Sequence, residues 1–248
     1  MAIAFAFVLV LTRVAAGIMV LPGVGGTDLP RIARAGFALA FTLLILPVAM
    51  PSMPPMPAAP ARAAAMVLGE VLTGAWLGWL ARVPAMALPM AGQIIAYMTG
   101  QASVLEPDTQ MGMQSTVFGR AFGLAATTLI MASGLWAIPI AAVAKSFRLI
   151  APGSLLPTAT GAAAATEAVA RGFAVALRLS SPFVVIGIVW QVGVGAIARL
   201  VPRLQIYFLA MPAQILGGMI LLALLAGAVL AGWETAITAA FDRLPGAG

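Results

Sequence analysis

The 248-residue chain contains no cysteine and no histidine. Without them there is no zinc site of the usual kind, no thiolate nucleophile and no Ser-His dyad. Disulfides are excluded too, so cysteine usage says nothing about redox compartment. Charge is nearly as scarce, with thirteen basic and seven acidic side chains making up 8% of the chain. Intramembrane aspartyl chemistry needs paired carboxylates, and Asp28, Asp108 and Asp242 fall near Gly- or Pro-containing segments instead. This inventory predicts a protein that is not an enzyme, with no cofactor and no metal. The net charge of +6 would suggest nucleic acid in a soluble protein. Here the basic residues stand singly between apolar runs, the pattern of membrane-flanking anchors, so no nucleic-acid partner is expected.

What the chain has in abundance is apolar surface: 62% of residues are hydrophobic and the mean hydropathy is +1.09. Soluble domains run to about half apolar and about a quarter charged. So few charges could not cover a water-facing surface of this size. The composition predicts an integral membrane protein whose solvent is lipid or partner protein.

A spanning helix needs about 20 mostly apolar residues. The first candidate runs from Ile3 to Pro22 and contains Arg13. No basic region precedes it, so a first membrane segment is expected here and not a cleaved signal peptide. A turn-rich stretch to Pro30 leads to a second segment, Ala33 to Leu46, ended by Pro47. The run from Pro47 to Pro60 has too many prolines for a helix and reads as an extended connector. Segments at Ala63–Arg82 and Val83–Thr99 abut, suggesting one long kinked helix or a tight hairpin. A fifth covers Ala121 to Val143, and a Pro/Gly/Ala/Thr stretch from Pro152 to Thr166 follows. A sixth covers Glu167 to Ile197, and the last runs from Gln205 to Trp233. The tail from Asp242 is expected to fray. Backbone groups in lipid must be satisfied internally and no period-two alternation is present, so the segments are helical and a β-barrel is excluded. The fold expected is all-α and polytopic, with about six to seven apolar helical segments, kinks and hairpins, forming a single helical membrane domain over 1–248. Basic residues follow segments on both sides, so loop charge gives no orientation.

Several residues depart from this apolar background. Arg13 in mid-segment costs several kcal/mol in lipid and should face protein or water. That makes it a pore or subunit contact, or else a residue that snorkels or pairs with another helix. Glu70 is a carboxylate inside an apolar span. It could serve as a proton or cation site paired with Arg82 or Arg178, though a structural contact between helices is favoured. Arg120 joins these as a further candidate for polar contact between helices or subunits. Met50, Met53 and Met56 could offer thioethers to copper(I), but no Cys or His completes such a site. Gly74 and Gly78 form a Gly-x-x-x-Gly pair that lets helices approach closely. The Gly23–Gly26 stretch lacks the βαβ setting of a nucleotide site. The segment from Gly100 to Arg120 is the most polar of the chain. It is long for a helix connection and must line water or an interface. Its Glu106, Pro107, Asp108, Met111, Gly112, Met113, Gln114 and Phe118 combine polar groups with flexible apolar anchors. Such a mixture suits a deformable seal over a lumen.

The order of these features resembles the FliR family, inner-membrane subunits of the flagellar type III export gate. The resemblance lies in Leu11-Thr-Arg-Val-Ala-Ala-Gly through Arg34-Ala-Gly-Phe37, in Leu68-Gly-Glu-Val-Leu-Thr-Gly-Ala-Trp-Leu-Gly78, and in Ala91-Gly-Gln-Ile-Ile-Ala-Tyr-Met-Thr-Gly100. It continues in Lys145-Ser-Phe-Arg-Leu-Ile-Ala-Pro-Gly153 and Val201-Pro-Arg-Leu-Gln-Ile-Tyr-Phe-Leu-Ala-Met-Pro-Ala-Gln-Ile-Leu-Gly-Gly218, so it covers essentially the whole length. It implies assembly with FliP- and FliQ-like subunits, and with FlhA- and FlhB-like components, in the inner membrane at the flagellar basal body. The resulting channel would pass unfolded flagellar proteins. The family's plug loop maps onto Gly100 to Gly119, with Glu106-Pro107 where the family usually has Asp-Pro. Injectisome members of the same family are the alternative, and a standalone secondary transporter using Glu70 is a more distant one.

Overall fold

The computed structural model describes residues 2–25, 30–102, 105–108, 113–154, 158–200 and 206–246. Its helices are α1 (Ala2–Val20), α2 (Arg31–Ala49), α3 (Pro60–Ala85), α4 (Ala87–Met98), α5 (Val117–Ala132), α6 (Ala137–Leu149), α7 (Thr158–Leu200) and α8 (Ile206–Phe241). A 3-10 turn at Met50–Ser52 follows α2, and two short strands, β1 (Leu105–Asp108) and β2 (Met113–Thr116), lie between α4 and α5. Among the described residues, five stretches are long and apolar enough to cross a membrane: Ile3–Val20, Arg31–Ser52, Pro60–Met98, Gly161–Leu200 and Ile206–Phe241. The chain is thus a polytopic helical membrane protein.

The expected segments merge or break for identifiable reasons. The third and fourth form one 39-residue stretch, interrupted only at Met86 between α3 and α4. The fifth is two helices, α5 and α6, bent by 68° and counting as a sixth span if taken together. The break falls at Gly134, whose φ of +75° cannot continue a right-handed helix. Helix α2 continues past Pro47 to Ala49, because a proline removes one backbone donor without forcing an end. Helix α7 starts at Thr158, well before the expected Glu167, since the alanine run 162–165 favours helix. In the tail expected to fray, Asp242 and Arg243 are exposed but Leu244 is buried.

The chain divides into two compact units, the first comprising Met1–Ala85, Thr127–Ala170 and Ile237–Gly248 and the second Met86–Ala126 and Arg171–Ala236. In the first unit, α1 buries residues in adjacent pairs that recur every fourth position: Phe5 and Ala6, Leu9 and Val10, Arg13 and Val14, Gly17 and Ile18. Helix α3 repeats that rhythm with Gly69 and Glu70, Thr73 and Gly74, Leu77 and Gly78. Two surfaces of the same four-residue period interlock as ridges and grooves. Glycine brings the backbones together: a Cβ on Gly74 would overlap the carbonyl oxygen of Arg13, and one on Gly78 would lie 2.6 Å from that of Gly17. Rising numbers on α3 meet rising numbers on α1, so the two helices run in the same direction. Val143 of α6 also packs against Gly17.

In the second unit, α4 buries Leu88, Ala91, Gly92, Ile95 and Ala96. Its Gly92 passes so close to the start of α5 that a Cβ there would lie 2.6 Å from the carbonyl oxygen of Phe118. Gly218 of α8 packs against Thr99 and Gly187 of α7 against Met98, at the end of α4. Many large apolar side chains of α7 and α8 stay exposed, including Val189, Val192, Leu216 and Leu224. Such surface belongs in lipid or against other proteins.

Candidate functional site

The first candidate site is the charge buried in the first unit. Arg13 and Glu70 are both 0% exposed. The Arg13 Nε donates to Glu70 Oε2 at 2.5 Å, and Nη2 donates to Oε1 at 3.0 Å. This two-pronged geometry matches a planar guanidinium to a planar carboxylate. Nη1 donates to Ser146 Oγ at 3.3 Å and to the Ile150 carbonyl at 3.2 Å. Ile150 caps the C-terminal end of α6, where carbonyls have no partner within the helix. The backbone N–H of Gly153 donates to Glu70 Oε1 at 2.6 Å, and the Phe147 ring lies 4.2 Å from the Arg13 guanidinium carbon. The ion pair thus ties α1 to α3, to the end of α6 and to the turn beyond it, and the charge expected to need protein or water finds protein.

Glu70, expected beside Arg82 or Arg178, has Arg13 as its partner instead. Arg82 lies twelve positions along α3, about 18 Å at the helical rise, too far to share the carboxylate. Arg82 is half-buried, while Arg120 on α5 and Arg178 on α7 are exposed.

The second candidate site is the polar segment, in the second unit. It folds as an antiparallel hairpin, with Leu105 opposite Thr116, Glu106 opposite Ser115, Pro107 opposite Gln114 and Asp108 opposite Met113. A hairpin thus stands where a loop is expected, although Glu, Pro and Asp disfavour strands. Gln93 holds it to α4: its Nε2 donates to Ser115 Oγ at 2.8 Å, and its Oε1 accepts from the Thr116 N–H at 3.3 Å. Thr116 then caps α5, its Oγ1 accepting from the Gly119 N–H at 3.1 Å. Ser115 and Thr116 are buried and Phe118 is half-buried. Glu106, Pro107 and Asp108 fall in β1, and Met113 and Gln114 in β2. Met111 and Gly112 lie outside the described residues.

Gln93 is not among the expected site residues, although it is the one amide in the apolar run from Ala87 to Tyr97. A lone polar group in such a run needs a partner, and that was the available signal. Gln214 of α8 is a similar case: its Nε2 donates to the Met98 carbonyl at 2.9 Å, occupying an acceptor at the end of α4. Among the described residues no group of three or more acidic side chains is placed to hold a metal ion. Met50 and Met56 are exposed around the 3-10 turn, and Met53 is half-buried.

The sequence matches the family described as Bacterial export proteins, family 1, over residues 4–240. It is 30% identical over 225 residues to the Flagellar biosynthetic protein FliR of Caulobacter vibrioides, covering 91% of this chain and 90% of that one. It is 25% identical over 221 residues to the Flagellar biosynthetic protein FliR of Bacillus subtilis, covering 88% and 84% respectively. A buried charge pair and an anchored polar hairpin within apolar helices therefore sit in a chain that belongs to the FliR family of bacterial export proteins.

Proposed function

We propose that the chain is a subunit of the flagellar type III export gate. With FliP- and FliQ-like subunits it forms the channel that passes unfolded flagellar proteins across the bacterial inner membrane, with FlhA- and FlhB-like components docking on the assembly. The flagellar system is favoured over the injectisome because both relatives described above carry flagellar names. The large exposed apolar faces of α7 and α8 supply surface for neighbouring subunits.

The observation that carries the mechanism is the Gln93-anchored hairpin in place of a loose loop. In this reading the hairpin is the channel plug, with Glu106, Pro107, Asp108, Met111, Gly112, Met113, Gln114 and Phe118 as its sealing residues. A two-stranded hairpin is marginally stable in isolation. It can therefore be displaced by a moving chain at modest cost, while its anchor at Gln93 returns it. The Arg13–Glu70 pair keeps the first unit's helices in register and does no chemistry. Glu70 has hydrogen bonds on both carboxylate oxygens, which argues against a proton-carrying transporter site.

Two measurements test this. Purification from native membranes should yield a large hetero-oligomer containing FliP- and FliQ-like subunits, and a monomer or small homo-oligomer would overturn the assignment. Deleting Met111 to Gln114 should raise the permeability of that assembly to small ions, and unchanged permeability would remove the plug role. Solute transport by the isolated chain in liposomes, abolished by Glu70→Gln, would establish the transporter instead.

A further inference from the structure

An antiparallel ladder alternates between pairs that exchange two backbone hydrogen bonds and pairs whose N–H and C=O groups point outward. The Thr116 N–H points away from β1, to Gln93 Oε1. Leu105 and Thr116 are therefore an outward-pointing pair, and by alternation so are Pro107 and Gln114. Proline has no N–H, and at this register position none is required for the ladder. The two edges of the hairpin thus differ. The outer edge of β2 is engaged by α4 through Gln93. The outer edge of β1 offers the Leu105 N–H and C=O and the Pro107 C=O, with no donor at Pro107. Among the described residues the sheet has only these two strands, and none of those residues adds a third strand to that edge.

We infer that Pro107 keeps the free edge of the hairpin from pairing with extended polypeptide. The inference rests on the channel reading above and names a property that reading does not supply. A plug beside a passage for unfolded protein meets extended chains, and an exposed strand edge is a template for adding one more strand. Such pairing would hold the cargo on its own gate. Removing the donor at one of the two outward positions of β1 breaks the row of alternating donors and acceptors an added strand needs. Proline is confined to edge strands for this reason.

The test uses the complete gate in cells carrying a stalled export substrate. A photo-crosslinking phenylalanine replaces Glu106, whose backbone groups point inward to Ser115. Pro107→Val restores a donor on the free edge, and the expected result is a rise of about two- to tenfold in crosslinked substrate with slower export, the effect of one regained hydrogen bond. Adding Leu105→Pro to Pro107→Val removes the other outward donor and should return crosslinking and export toward the original level. Crosslinks that Pro107→Val leaves unchanged would overturn the inference while leaving the channel reading intact. A loss of export that Leu105→Pro fails to rescue would assign Pro107 a purely structural role and also overturn it. The absence of substrate crosslinks in every variant would overturn the channel reading, and this inference with it.

Discussion

Replacing Glu70 by leucine should be among the most damaging single substitutions in the first unit. The change leaves the Arg13 guanidinium, 0% exposed, without its counter-ion. Removing one partner of a buried pair costs about 3–5 kcal/mol, roughly two to four powers of ten in the folded-to-unfolded ratio. Glu70→Gln should cost less, about 1.5–3 kcal/mol, the range for hydrogen bonds to charged groups. Its amide cannot reproduce both oxygens, because Oε1 accepts from Arg13 Nη2 and Gly153 N, and Oε2 accepts from Arg13 Nε. One end of the amide must therefore set a donor against a donor. The informative variant is the double change Arg13→Met with Glu70→Leu, which removes both charges. What remains is a Gly153 N–H and an Ile150 carbonyl without their side-chain partners, worth about 1–3 kcal/mol. The double variant should thus be more stable than Glu70→Leu alone. Thermal unfolding of the purified chain in mild detergent, followed by tryptophan fluorescence, gives the order directly. Glu70→Leu as stable as the unmodified chain, or a double variant less stable than both singles, would refute the reasoning.

Gly74→Ala should lower stability by about 1–3 kcal/mol, since its Cβ would meet the Arg13 backbone. Gly217→Ala, with nothing within 4 Å of the new Cβ, should be neutral or stabilising by up to about 1 kcal/mol; the same unfolding measurement compares the two. Gln93→Leu should release the Thr116 N–H, visible as faster hydrogen exchange across Met113–Thr116 with the exchange of α1 and α3 unchanged. Phe241→Ala, at a fully buried position at the end of α8, should cost about 3–5 kcal/mol in the same unfolding measurement.

The membrane class and the helical character were legible because they follow from composition and from the need to satisfy backbone groups in lipid. The polar character of Gly100–Arg120 was legible for the same reason, since it stands out against everything around it. Its hairpin was not, because strand formation there depends on Gln93, a residue on another element, overriding the poor strand preference of Glu106, Pro107 and Asp108. The partner of Glu70 was missed although its signal was present in outline. Arg13 precedes Gly17 by one helical turn, and Glu70 precedes Gly74 by one turn. Once the glycines set the crossing, the charges must meet, but the choice of which glycines face each other is tertiary information. The length of α7 was underestimated because the proline and glycine ahead of it were weighed more heavily than the alanine run inside it.

The Arg13–Glu70 pair also bears on the order in which the chain enters the bilayer. Its two members are 57 residues apart in sequence, about 3–11 s of synthesis at 5–20 residues per second. For that interval the first helix carries a cation with no counter-ion, a burden of about 2.5–3.5 kcal/mol at mid-membrane on insertion scales. Its final surroundings are complete only when α3 and then α6 have followed it. Nascent chains arrested before α3 are expected to hold the first helix less firmly than longer ones, and alkaline extraction of membranes carrying the two would compare them.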